Sequence, residues 1–162
     1  MEPAMDKKRA TSMVIFACVF VITATAMAAA QSKPEIKGMK AYLFYNPSGS
    51  LSENIIDNSD FTLYNTIIGG GSAKEPSNQT LVVVGISGKC PAGMCKAYFS
   101  AIEKYGRKKV LLKRAAEVFC ETDECNAAFM LYDTGCTPVE LSARMHGGKK
   151  TLKKKIKFYC AE

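Results

Sequence analysis

Apolar and polar positions alternate along much of the chain, in short runs separated by turn residues. Two runs are clearest. Over residues 139–145, Val139, Leu141, Ala143 and Met145 share one face, against Glu140, Ser142 and Arg144 on the other. Over 151–160, Leu152, Ile156, Phe158 and Cys160 share a face, against Lys153, Lys155, Lys157 and Tyr159. A period of two is the signature of a strand with one buried side. His146-Gly147-Gly148 between these runs predicts a hairpin turn. Residues 80–87, dominated by Leu81-Val82-Val83-Val84, predict a strand buried on both faces.

Weaker patterns fill the rest. Residues 33–37 read as a lead-in, and 39–45, 61–68 and 127–132 as strands. Residues 96–105 fit a strand or a short helix. Residues 110–119 fit a strand, with helix as the competitor because of Ala115-Ala116-Glu117. Residues 52–60 fit a loop or one helical turn around Ile55-Ile56. Asn46-Pro47-Ser48-Gly49, Gly106-Arg107-Lys108-Lys109 and Asp133-Thr134-Gly135 predict turns, and 69–78 a loop. Roughly seven or eight short strands without a long amphipathic helix predict an all-β fold. It would be an antiparallel β-sandwich, immunoglobulin-like or of a related Greek-key topology.

The first thirty residues follow another plan. Lys7, Lys8 and Arg9 precede an apolar run over 13–25, and Ala26-Met27-Ala28-Ala29-Ala30 supplies small residues after it. This predicts a secretory signal peptide over 1–30, cleaved between Ala28 and Gln31, and a single domain over 31–162. The competing reading is an uncleaved anchor, but the run is shorter than the ~20 residues of a membrane-spanning helix. No transmembrane segment is expected after cleavage.

That expectation changes the cysteine count. The chain has seven cysteines. Cys18 lies in the apolar run, which leaves Cys90, Cys95, Cys120, Cys125, Cys136 and Cys160. An even set in a secreted chain predicts disulfides. The predicted hairpin carries Cys136 and Cys160 to one end of the sheet, so these two are expected to pair. The other four pair within each Cys-x4-Cys loop or across the two loops. Paired Cys-x4-Cys spacings also resemble a loose zinc site, which an oxidising compartment disfavours.

Charge is uneven. The net charge is +7. Residues 89–162 hold fifteen Lys or Arg against eight acids, whereas 31–88 hold four against five. The candidate anion-binding residues are Lys149, Lys150, Lys153, Lys155 and Lys157, with Arg107, Lys108 and Lys109. A second basic group, Lys104, Lys113 and Arg114, extends the latter. Lysines on an edge strand can also serve only to block edge-to-edge pairing.

Catalytic signatures are missing. There is one histidine, His146, in a predicted turn. Gly69-Gly70-Gly71-Ser72 lacks the Gly-Lys-Ser/Thr ending of a phosphate loop, and Gly85-Ile86-Ser87-Gly88 is no nucleophile elbow. Glu121, Asp123 and Glu124 alone do not make a calcium loop. No catalytic residue, metal site or cofactor is therefore assigned, and the chain is expected not to be an enzyme. Asn78-Gln79-Thr80 is an acceptor for N-glycosylation at Asn78.

The segments Ser52-Glu53-Asn54-Ile55-Ile56-Asp57-Asn58, Asn65-Thr66-Ile67-Ile68-Gly69 and Leu131-Tyr132-Asp133-Thr134-Gly135-Cys136 resemble a group of small secreted plant proteins of uncharacterised function. The likeness spans about residues 39–160 and leaves the Cys90/Cys95 and Cys120/Cys125 pairs outside it. It implies a plant source and an extracellular setting and carries no activity. The expected function is a secreted, non-enzymatic binding protein with a basic face. Its partners would be acidic polysaccharide or another anionic surface, not nucleic acid, with a place in plant defence or the cell wall. The alternative is a secreted ligand docking on a receptor protein through the loops at 69–78 and 90–95.

Overall fold

The computed structural model describes residues 33–56, 72–105, 107–135 and 137–158, with Tyr105, Arg107 and Lys108 described by their backbone alone. The predicted leader, the predicted strand at 61–68, and Cys136 and Cys160 with their expected bridge all lie outside the described residues. The described residues form eight strands, β1 (Glu35–Tyr45), β2 (Ser50–Leu51), β3 (Gln79–Ser87), β4 (Met94–Tyr105), β5 (Arg107–Phe119), β6 (Glu124–Tyr132), β7 (Val139–Met145) and β8 (Leu152–Ile156).

They form two antiparallel four-stranded sheets, ordered β2-β1-β3-β6 and β5-β4-β7-β8. Leaving aside the two-residue β2, the order is that of an immunoglobulin-like Greek key. The chain crosses between sheets from β3 to β4, from β5 to β6 and from β6 to β7. The expected disulfide-stabilised β-sandwich is therefore the observed fold.

Alternation builds the layer between the sheets. Thr80, Val82, Val84 and Ile86 of β3 point in, as do Val139, Leu141, Ala143 and Met145 of β7. The Phe99 ring of β4 stacks on the Phe129 ring of β6 with centroids 4.4 Å apart, joining the two sheets at the centre. Burying side chains of this size stabilises by about 1.5–3 kcal/mol each. One expectation fails here. The outward residues of β3, Leu81 and Val83 among them, are half-buried rather than buried, because nothing among the described elements forms a third layer over them.

Two bulges interrupt the alternation. In β1 the pairing with β3 shifts between Ile36 and Gly38, so that Ile36 and Met39, three residues apart, both reach the core. In β5, Ala101 of β4 faces Leu112 while Ile102 faces Val110, which leaves Leu111 as the extra residue. Residues 94–105 and 107–119 are both strand throughout, so the helical alternatives do not occur, and β1 begins within the predicted lead-in. The predicted turn at 106–109 is mostly strand as well, because Arg107 already pairs with Tyr105. β8 ends at Ile156, shorter than predicted, although Phe158 beyond it is still buried.

Both described disulfides close single loops, Cys90–Cys95 at the entry to β4 and Cys120–Cys125 between β5 and β6. The loops sit against each other. The Cys90 N–H donates to the Cys120 carbonyl at 3.2 Å, and the Cys120 N–H to the Gly93 carbonyl at 2.8 Å. Each bridge thus closes a Cys-x4-Cys loop, the first of the two alternatives the spacing left open.

Candidate anion-binding face

The outward residues of the second sheet form three parallel rows, fixed by strand register. Ala115, Tyr98 and Arg144 make the first. Lys113, Ser100, Ser142 and Lys153 make the second, crossing all four strands. Val110, Ile102, Glu140 and Lys155 make the third. Lys96 and Lys104 extend β4 in the same phase at either end. Lys96, Lys104, Lys113, Arg144, Lys153 and Lys155 are all exposed. The carboxylates in this phase are Glu117, opposite Lys96, and Glu140.

Local contacts hold several of these groups in place. The Lys104 ammonium donates to Glu140 Oε1 at 2.5 Å. That hydrogen bond holds the Glu140 carboxyl below the usual carboxylate range; desolvation opposes it, and the nearby charges of Lys104, Lys155 and Lys153 act with it. The Arg144 guanidinium lies over the Tyr98 ring, 4.8 Å from its centroid, and the Tyr98 hydroxyl is 3.1 Å from His146 Nδ1. At the centre the Ser100 and Ser142 hydroxyls share a hydrogen bond at 2.8 Å. Two open depressions flank this pair and share it. One, of about 600 Å³, is walled by Lys104, Glu140, Lys153 and Lys155. The other, of about 490 Å³, is walled by Tyr98, Lys113 and Arg144.

The candidates from sequence divide. Lys153 and Lys155 belong to the face, and Lys157 is exposed just past the end of β8. Lys149 and Lys150 are exposed in the β7–β8 connection, where Gly147 at φ +70° makes the reversal. Lys108 takes the register position opposite Lys104, and Arg107 the one opposite Tyr105. Lys109 turns away: it lies opposite Glu103 and pairs with its carboxylate at 3.9 Å. The extra residue Leu111 is the cause, because it reverses the phase of β5 between Lys113 and Lys109.

The face also holds Lys96, Tyr98, Ser100, Ser142 and Arg144, which the charge pattern of the sequence does not single out. Ser142 and Arg144 carry an outward signal in their alternation; their neighbours across the sheet are set only by register. Asn78 is exposed. Thr80, two residues on, is fully buried and shares a hydrogen bond with Thr134 Oγ1 at 2.7 Å.

Elsewhere, Met94 and Phe119 face each other at the disulfide end of the second sheet, 43% and 77% exposed. Glu117, Glu121 and Asp123 are exposed in the same segment. Among the described residues no group of three or more His, Cys, Asp or Glu could hold a metal ion, and no helix is long and apolar enough to cross a membrane. No protein-family model matches the chain, and no curated protein matches it.

Proposed function

We propose that this chain is a secreted, non-enzymatic binding protein, released from a leader over 1–30, whose second sheet takes acidic extracellular partners in a defence or cell-wall role. The observation that carries the reading is the gathering of Lys96, Lys104, Lys113, Arg144, Lys153 and Lys155 on one outer face. Protection of sheet edges accounts for lysines on β5 and β8, the edge strands. It does not account for Lys96, Lys104 and Arg144, which stand on the central strands β4 and β7. Cations there have a use if an anion lies across the sheet. Retention on immobilised pectate or heparin tests the reading. The protein should bind at low salt and elute steeply as salt rises; flow-through at low salt contradicts it.

Glycosylation at Asn78 belongs to the same extracellular reading. Since Thr80 is buried in the fold, the glycan would be added before the chain folds. Asn78→Gln should remove one glycan mass from the secreted product.

A second reading, a ligand for a receptor, is favoured by Phe119 and Met94. They stand exposed beside the Cys90–Cys95 loop, held between two disulfides, and an exposed, rigid aromatic is a common interface anchor. Binding to cells that survives excess heparin and falls with Phe119→Ser would support it. Binding that heparin abolishes, with Phe119→Ser unchanged, would contradict it.

A further inference from the structure

We infer that the row Lys113–Ser100–Ser142–Lys153 is the floor of a subsite for an acidic polysaccharide lying across the strands, with anionic groups at the two lysines and sugar hydroxyls over the two serines. This rests on the reading of the basic face and narrows it from any polyanion to one class.

The first support is the row itself. Its residues are in direct cross-strand register over β5, β4, β7 and β8. With strands ~4.8 Å apart, the two lysines start about 14 Å from each other. A chain bridging them passes over the serine pair. The second is hydrogen-bonding capacity. The Ser100–Ser142 bond uses one of two hydroxyl hydrogens, so one O–H donor and several lone pairs remain for a ligand. A polyhydroxylated chain can use both kinds, whereas a phosphate or sulfate can only accept. The third is shape. The two depressions adjoin at this pair, so the floor continues from one cationic wall to the other.

A lipid surface fits less well. Its binding would combine cations with exposed apolar side chains at one place. Here Met94 and Phe119 stand at the end of the sheet beyond Lys96, where Glu117, Glu121 and Asp123 offset that cation, so an anionic headgroup layer gains little there. Val110, 59% exposed at the β5 edge, is joined on this face by the half-buried Ile102.

Titration calorimetry with three probes tests the inference: size-defined oligogalacturonates with heparin oligosaccharides, inorganic polyphosphate, and vesicles of phosphatidylserine and phosphatidylcholine. Ser142→Ala should weaken both oligosaccharides about fivefold, the worth of one hydrogen bond, and leave polyphosphate unchanged. Ser142→Thr, which keeps the hydroxyl, should restore most of the loss. Lys113→Gln and Lys153→Gln should weaken every polyanion and show coupling only on oligosaccharides long enough to span the row. Equal loss of oligosaccharide and polyphosphate on Ser142→Ala, or no loss of either, overturns the inference while leaving the broader reading intact. Tighter binding to vesicles than to oligosaccharides also overturns it. If the unaltered protein binds none of the probes, the broader reading falls with it.

Discussion

The two sheets share one buried layer and differ in what they show to solvent. On the first sheet the outward residues of β1, β3 and β6 include Tyr42, Leu81, Val83 and Met130, half-buried, and Tyr132, exposed. Charge there is sparse: Glu35, Lys40, and an ion pair of Lys37 with Glu124 at the margin. On the second sheet the outward positions carry Lys96, Lys104, Lys113, Arg144, Lys153 and Lys155 and the two serines, against the carboxylates Glu117 and Glu140. Since the inward positions of both sheets are mainly hydrophobic, the buried layer does not by itself require this difference. It teaches that the inward half of each alternating strand sets the sandwich and the outward half sets what it can bind.

The largest effect should come from breaking the layer both faces stand on. Phe129→Ala removes the stacking partner of Phe99 and should lower unfolding free energy by about 3–5 kcal/mol, measured by denaturant titration. It should weaken both faces together, so selective loss at one sheet would show that the two are held independently.

Next is the face itself. Replacing Lys113, Lys153 and Lys155 by Gln should weaken heparin binding on the order of 30-fold at low salt, at somewhat under 1 kcal/mol per exposed cation. Lys40→Gln on the first sheet should leave it unchanged. A comparable loss from Lys40→Gln would make net charge, rather than the second sheet, the cause.

Replacing Cys120 and Cys125 by Ser should cost about 2 kcal/mol, the low end of the usual range because the loop is short. Thermal melting reads it, and binding by the basic face should persist at temperatures where the protein stays folded.

The smallest effect is at Glu140, the carboxylate within the basic face. Glu140→Gln should strengthen heparin binding about twofold by releasing Lys104. The Lys104 hydrogen bond lowers the folded-state pKa of Glu140 below its unfolded value. The ion pair is therefore fully present above the ordinary carboxylate pKa of about 4.3 and lost as pH falls through the depressed value. The advantage of the variant should thus stay constant from pH 7 to pH 5 and vanish only in stronger acid. An advantage that fades by pH 5 would mean that Lys104 does not hold this carboxylate.

Much of this arrangement can be read from residues alone. β7 alternates cleanly, with Ala or larger hydrophobes inside and polar groups outside, and β8 does so except at Lys154, which lies opposite the buried Leu141, so their faces and hairpin are legible. β4 is not, because alanines at 97 and 101 point in while Tyr98 and Ile102 point out, which blurs the contrast that marks a strand. The two bulges are invisible to a period of two, and the one at Leu111 moves Lys109 off the face. Pairing within each Cys-x4-Cys loop depended on loop geometry that spacing leaves open. The serine row could not be seen at all, since Ser100 and Ser142 meet only through the β4–β7 register.

The most direct measurement is amide chemical-shift mapping of the isotope-labelled protein during titration with a heparin oligosaccharide. Perturbations should concentrate on β4, β7 and β8 around Tyr98, Ser100, Ser142 and Lys153, with β1, β3 and β6 unmoved. Perturbations centred on the first sheet, or on the disulfide end around Met94 and Phe119, would contradict that placement.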